Sequence, residues 1–338
     1  MTKCNSRKRY SSSITFEIIP MPDKIKLNEV DKVEITTLID NYIDGVAMDG
    51  TNIISRAYPL KDGKICNSIL AEHGFSAIVT TETNRKPHSV LLDFGFSADG
   101  AAFNARALGI NMSAIEALVL SHGHSDHTGA LESLTKLIGK KKIKMFVHPQ
   151  AFATPRYLKF GEEIKVSFPE FSREELEDLG IVIEESAKPV SLAEESILYL
   201  GEIPRLMDFE KGMPNAYYEE NGKEKFDQNL DDTALVMNLK GKGLVILSGC
   251  AHAGIINTVQ HARKVTGIDK VHVVMGGFHL TGPNFAPIIG REIEALREIN
   301  PYYIIPTHCT GRNATNAIEK ELPQKFLLNM SGTKLTFV

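Results

Sequence analysis

Apolar and polar positions along this chain follow two periods, and together they predict strands alternating with helices. Val33-Glu34-Ile35-Thr36-Thr37-Leu38-Ile39 is part alternating and part β-branched, which predicts a strand. Ser76 to Thr81 and Ser89 to Asp93 read as two further strands, with the polar tetrad Asn84 to Pro87 signalling a hairpin between them. Asp99 to Leu108 has helical composition and Ala117 to Leu120 is a short apolar strand. Leu131 to Ile138 carries a helical pattern, and Ile143 to Val147 reads as the next strand. A second series begins with strand Thr233 to Leu239, turn Lys240-Gly241-Lys242-Gly243 and strand Leu244 to Leu247. A helix from Gly254 to Val265, a strand Val271 to Met275, a helix Pro287 to Ile299 and a strand Tyr302 to Ile305 complete it.

Between the two series the character changes. From His148 to about Asp232 charge density rises and prolines recur, with Arg173 to Leu179 as one short exposed helix. Apolar content there is thin for an independent core, so residues 148–232 read as an insertion over the functional face. Asp40 to Leu60 is a long connection with little periodicity, and such loops often act as lids or binding loops. Residues 1–25 read as a loose leader, and 26–338 as a single domain. Two β-rich series, each running into helices, predict an α/β fold of the αββα kind, mixed sheets flanked by helices.

Composition narrows the partners. Hydrophobic residues make up 43% and charged residues 24% of 338, ordinary for a soluble globular protein. A formal net charge of -4 leaves no basic excess to neutralise phosphates, so nucleic acid is not the expected partner. The basic residues Lys3, Arg7, Lys8 and Arg9 flank no apolar core, and no apolar run approaches the ~20 residues of a membrane span. Cysteines at 4, 66, 250 and 309 are too scattered for a disulfide framework, and a reducing cytoplasm is the simplest home. Oligomeric state has no signature in the sequence.

The candidate chemistry centres on Ser121-His122-Gly123-His124-Ser125-Asp126-His127. A buried strand delivers this loop and a helical pattern follows it. On such a loop His122 and His124 turn to one ion while Asp126 and His127 turn to a neighbour. Imidazole with carboxylate suits zinc, iron or manganese. Ser248-Gly249-Cys250-Ala251-His252, Gly276-Gly277-Phe278-His279 and Pro306-Thr307-His308 each place a histidine just past a predicted strand. That end is where α/β architectures gather ligands and catalytic groups.

His122-x-His124-x-Asp126-His127, with Asp93 closing Leu91-Leu92-Asp93-Phe94-Gly95, resembles the metallo-β-lactamase fold superfamily from about Val33 to the end of the chain. Finer features resemble one branch of it: Asn67 to Ser76, Gly201-Glu202-Ile203-Pro204-Arg205, Gly249 to Ile255, Gly277 to Leu280 and His308 to Gly311. That branch is labelled 7,8-dihydropterin-6-methyl-4-(β-D-ribofuranosyl)aminobenzene-5′-phosphate synthase, and some of its relatives are described as folate-binding. The resemblance implies that His122 and His124 ligate one metal, and that Asp126, His127 and His308 ligate a second. Asp93 would orient the histidine loop without touching metal. The usual bridging aspartate falls at or near Cys250, which is read as a thiolate ligand or as a small buried residue. His252 substitutes for a missing middle histidine.

The reaction implied is metal-dependent hydrolysis, with two zinc ions, or iron or manganese in their place. Such ions lower the pKa of a bound water from about 15.7 to about 7. Asp126 would orient that nucleophile. His279 and Arg205 are candidate contacts to a small anionic, pterin- or phosphate-containing substrate. A pterin- or folate-binding protein, or a synthase-like enzyme with an altered metal site, is the alternative. His73, His88, His148, His261 and His272 are read as structural.

Overall fold

Two mixed sheets face each other across a shared apolar layer in the computed structural model, which describes residues 24–58, 60–65, 68–161 and 163–338. The first sheet has eight strands, ordered Val182–Glu185, Lys144–Val147, Ile115–Val119, Lys86–Leu92, Ser76–Thr83, Lys32–Ile39, Lys334–Phe337 and Ile54–Ser55. The second runs Val190–Leu192, Ile197–Tyr199, Ala234–Leu239, Gly243–Ser248, Val271–Gly277 and Tyr303–Thr307, with Glu29–Val30 added beside Ala234–Leu239.

The side-chain period of two explains the layers. Val33, Ile35, Val79, Val90, Leu92 and Val119 point between the sheets and meet Leu235, Met237, Val245, Leu247, Val273 and Met275. Positions of the other parity face outwards. Ile78, Leu91 and Leu118 pack on helices Gly100–Ala107 and Leu131–Ile138. Val236, Leu244, Ile246 and Val274 pack on helices Ile255–Thr266, Ile289–Ile299 and Arg312–Glu321. Burying each such side chain contributes about 1.5–3 kcal/mol, so strands apolar on both faces hold the middle of each sheet. The architecture is αββα.

Both predicted hairpins form. Ser76–Thr83 pairs antiparallel with Lys86–Leu92, and the predicted four-residue turn tightens to Asn84 and Arg85, at φ 52° and 65°. Positive φ at both central residues matches the strand twist, which is why this turn is so short. Ala234–Leu239 pairs with Gly243–Ser248 across a turn at Gly241.

The 148–232 stretch departs from the reading of it as an insertion. Val182–Glu185 is an edge strand of the first sheet, parallel to Lys144–Val147. Val190–Leu192 and Ile197–Tyr199 form an edge hairpin of the second. Only Arg156–Phe160, Ile164–Ser167, Ala216–Glu220 and Lys223–Phe226 stand apart, as a four-stranded antiparallel sheet. Edge strands are held by one hydrogen-bond ladder and need little apolar periodicity, so Val182-Ile183-Glu184-Glu185 carries no sequence signal of its role. The Asp40–Leu60 connection likewise donates Ile54–Ser55 to a sheet edge. Of the leader read over 1–25, only Lys24 and Ile25 are described, and the Ile25 amide donates to the Val265 carbonyl at 3.0 Å. Cys4, Cys66 and Asn67 lie outside the described residues. Among the described residues no helix is long and apolar enough to cross a membrane.

Candidate metal centre

Ile115–Val119 passes Leu120 and Ser121 to a tight loop that ends in a 3-10 turn, Ser125–His127. Two glycines let this loop lie against its neighbours. A Cβ at Gly123 stands 2.1 Å from the Ala151 carbonyl oxygen, and one at Gly129 stands 2.0 Å from that of Phe96. Asp93, fully buried and left-handed at φ 58°, sits beneath the loop. Its carboxylate accepts from the Ser121 amide, the Ser121 hydroxyl and His127 Nδ1, each at 2.7 Å. The last bond fixes a proton on His127 Nδ1 and turns Nε2 inward.

The second half sends single residues from three strand ends. Cys250 and His252 follow Gly243–Ser248, His279 follows Val271–Gly277, and His308 follows Tyr303–Thr307. Ala251, His279 and His308 adopt φ of 47°, 45° and 43°, left-handed conformations that cost about 1–2 kcal/mol each outside glycine. A Cβ at Gly249 would stand 2.1 Å from Ser121 Oγ, so glycine there lets the two halves meet. The His308 amide donates to Asp40 Oδ1 at 2.8 Å, and its Nδ1 lies 2.9 Å from Asn41 Oδ1.

These loops bring the predicted ligands together. His122 Nε2 lies 3.1 Å from His252 Nε2, and His127 Nε2 lies 3.1 Å from Cys250 Sγ. His308 Nε2 lies 3.2 Å from Asp126 Oδ2. Ligand atoms of Asp126, His127, Cys250 and His308 all fall within 4.8 Å of one another, as do those of His122, Cys250 and His252 and of His122, His124 and Asp126. Two nitrogens about 2.0–2.1 Å from one tetrahedral ion stand roughly 3.3 Å apart, close to the His122–His252 spacing. His308 Nε2 is buried without a hydrogen-bond partner. His122, His127 and His308 are held by Nδ1 while their Nε2 atoms turn to the cluster, an arrangement that fits a cation.

Residues 84–190 match the family model of the metallo-beta-lactamase superfamily. The chain is 32% identical over 321 residues to the 7,8-dihydropterin-6-methyl-4-(beta-D-ribofuranosyl)-aminobenzene-5'-phosphate synthase of Methanocaldococcus jannaschii, covering 93% of this chain and 99% of that one. This chain belongs to the metallo-beta-lactamase superfamily. An uncharacterized protein of the same organism is 31% identical over 267 residues, 77% of this chain and 93% of its own length. The solved structure of Tm1679, a metal-dependent hydrolase of the beta-lactamase superfamily, superposes with a TM-score of 0.67 at 24% identity, over 90% of this chain and 98% of that one. That likeness shows the fold.

The electrostatics of this superfamily member hold His122, His124 and His252 as neutral imidazoles with a lone pair to offer, and His127 differs from them. Burial holds His122 and His252 well below the usual histidine range, and neighbouring imidazoles add to it. Burial, with the charge of Arg156, brings His124 down to about 4. Burial opposes charge on His127, but Asp93 and Asp126 outweigh it and raise that ring to about 9. Burial also opposes charge on Asp126, and His127 and His308 override it to hold the carboxyl well below its ordinary range. Cys250 is pushed up by burial and by its neighbour Cys309.

Several supporting residues escaped the sequence reading. Arg156 is buried and forks onto Asp231 at 2.9 Å through both terminal nitrogens, with Nε 2.9 Å from Asp227. Asp231 in turn accepts from the Gly123 amide at 2.8 Å. Phe168 stacks on His124 with ring centroids 4.6 Å apart, and Asn229 Nδ2 lies 3.4 Å from His124 Nε2. His73, read as structural, stands at the rim with Nε2 3.7 Å from Asp126 and Nδ1 3.1 Å from Asn41. The one available signal was the run Asp227-Gln228-Asn229-Leu230-Asp231-Asp232, acidic residues just before a strand.

The cluster borders a cavity of about 460 Å³ walled by His252, His279, Phe209, Phe285, Lys211 and Arg291, among others. His279 packs 4.3 Å from His252 and edge-on to Phe285 at 4.8 Å. Arg205 stands off that cavity: its guanidinium donates to the Gln228 carbonyl, and its charge acts on His252 and Asp232. His88 pairs with Glu116, His261 faces the Leu200 carbonyl, and His272 stacks on Tyr302. His148 accepts from the Gln150 amide.

Proposed function

We propose that this protein is a metal-dependent enzyme acting on a small, phosphate-bearing pterin substrate, and that it joins a dihydropterin to an arylamine as the name of its M. jannaschii relative describes. The observation that carries this is the ligand cluster opening onto a cavity with aromatic walls and two cationic side chains. A cavity of about 460 Å³ suits one fused heterocycle with a substituent, within the usual range of roughly 300–1,000 Å³. The near full-length correspondence with that relative supports the same substrate class.

His122, His124 and His252 would hold one divalent ion, and Asp126, His127, Cys250 and His308 a second. Imidazole, carboxylate and thiol together suit zinc. When bound, such an ion supplies Lewis-acid polarisation of a phosphoryl or carbonyl oxygen. The chain's own groups do the rest. Phe285 lines the cavity for a flat ring, and Lys211 offers charge to a phosphate. His279 Nδ1 is buried without a partner and can hydrogen-bond a substrate oxygen. Asp126, held ionised, is placed to accept a proton from the incoming nucleophile.

Hydrolysis is the second reading. It is favoured by Asp126 lying between His127, at 3.8 Å, and His308, at 3.2 Å, where a carboxylate would orient water. Cys250 in place of a bridging carboxylate weighs against it, because the second ion then lacks a shared oxygen ligand.

The test is incubation of the metal-loaded protein with a 7,8-dihydropterin carrying an anionic leaving group on its 6-methyl carbon, together with 4-(β-D-ribofuranosyl)aminobenzene 5′-phosphate. Mass spectrometry then follows the products. A coupled product, with release of the leaving group and the arylamine proton, supports transfer. Leaving-group release with water added and no coupling moves the assignment to a hydrolase. Pterin retained unchanged, at one metal or less per chain, points to a binding protein.

A further inference from the structure

We infer that the buried carboxyl pair Glu210–Glu292, in the wall of the 460 Å³ cavity, grips a ligand ring by an edge of adjacent N–H donors, such as a 2-amino-4-oxopyrimidine presents. This rests on the pterin reading above and names the residue that would carry it.

The two carboxyls are 4% and 1% exposed. Glu210 is explained by its own contacts. Its oxygens accept from the Ile256 and Asn257 amides, each at 2.7 Å, at the start of helix Ile255–Thr266. Gly254, at φ 100°, makes room, since a Cβ there would meet the Glu210 carboxyl carbon at 2.1 Å. Helix capping needs nothing more, and Glu292 is not part of it.

Glu292 lies in the first turn of helix Ile289–Ile299, in the same cavity wall, and among the described residues Glu210 is its one hydrogen-bond partner. The two carboxyls hydrogen-bond each other and so share a proton, which occupies one Glu292 oxygen and leaves the other as an acceptor in the cavity wall. An unmade buried hydrogen bond is costly, so an acceptor kept there calls for a donor from the ligand. The rest of the wall fits a flat ring. Phe209 and Phe285 line the cavity, and Arg291 lies over the Phe209 ring at 4.4 Å while bound to Asp208 at 2.6 Å. His252 and His279 share the cavity, so a ring held at Glu292 presents its substituent towards the ligand cluster.

The test is fluorescence titration of the purified, metal-loaded protein with three probes. These are 6-hydroxymethylpterin, its lumazine counterpart (a carbonyl in place of the 2-amino group) and guanosine, which carries the same edge on a purine. Pterin is expected to bind about ten- to hundred-fold tighter than the lumazine, the worth of a hydrogen bond to an ionisable group. Glu292→Met should erase that preference at unchanged metal content, and Glu292→Gln, which keeps an acceptor oxygen, should restore it. Pterin ahead of guanosine identifies a pterin; guanosine ahead of pterin keeps the edge and makes the ligand a purine. Equal binding of pterin and lumazine by the unaltered protein overturns the Glu292 assignment while leaving the pterin reading in place. Binding of none of the probes overturns both.

Discussion

The two halves of the candidate metal centre are built differently. The first half supplies His122, His124, Asp126 and His127 from one continuous loop braced by buried partners. Asp93 holds three donors, and Asp231 ties Gly123 to the buried Arg156. The second half supplies Cys250, His252, His279 and His308 one or two at a time from separate strand ends. Its backbone is left-handed at Ala251, His279 and His308, and His252 Nδ1, His279 Nδ1 and His308 Nε2 are buried without hydrogen-bond partners. A rigid half thus faces a strained, under-satisfied one. Strain and unpaired polar atoms persist only where surrounding structure enforces them, and Ala251, His252 and His279, which carry part of them, also wall the cavity.

Removing a ligand is the strongest way to break the comparison. His124→Ala should strip most bound metal and nearly all activity, and full metal per chain by elemental analysis would remove His124 from the ligand set. Next comes the support under the rigid half. Arg156→Met strands Asp231 and Asp227 as buried carboxylates and should cost about 3–5 kcal/mol in urea unfolding. A loss below 1 kcal/mol would mean the cluster is not structural. Asp93→Asn should weaken metal binding about 10- to 100-fold, because the loop loses its charged acceptor. The matching change in the other half, Asn41→Ala, removes a half-exposed neutral partner of His308 and should cost only about two- to ten-fold. Equal effects would mean the halves are not pinned differently.

The smallest expected effect is a pH dependence at the cavity wall. Burial pushes Glu210 up to about 7, above its unfolded value. The folded state therefore holds a proton that the unfolded chain releases, so this contribution is full below the unfolded carboxyl range and lost as pH rises through about 7. Urea midpoints should fall modestly between pH 5 and pH 8, and Glu292→Gln should flatten that slope. A slope unchanged by the substitution would place the proton elsewhere.

Legibility followed the same division. The loop from His122 to His127 was readable as a cluster because its candidate ligands are neighbours in sequence, delivered by an apolar strand. The hairpins were readable from turn residues, and the central strands from apolar parity. Asp40, Asn41, Arg156 and Asp231 were not, since each acts on a histidine or loop far away in the chain, with no local pattern to betray it. Val182–Glu185 was missed because an edge strand depends on its neighbour's ladder and not on its own apolar face.

By itself the sequence determined the αββα alternation and one half of the candidate metal centre. Those rest on period, turn chemistry and adjacent ligands, which are local properties of the chain. Only the tertiary structure decided that His252 meets His122, that Cys250 meets His127, and that Glu210 and Glu292 share one cavity wall. Such contacts are fixed by how two sheets pack face to face, and packing is a sum over residues that no single stretch contains.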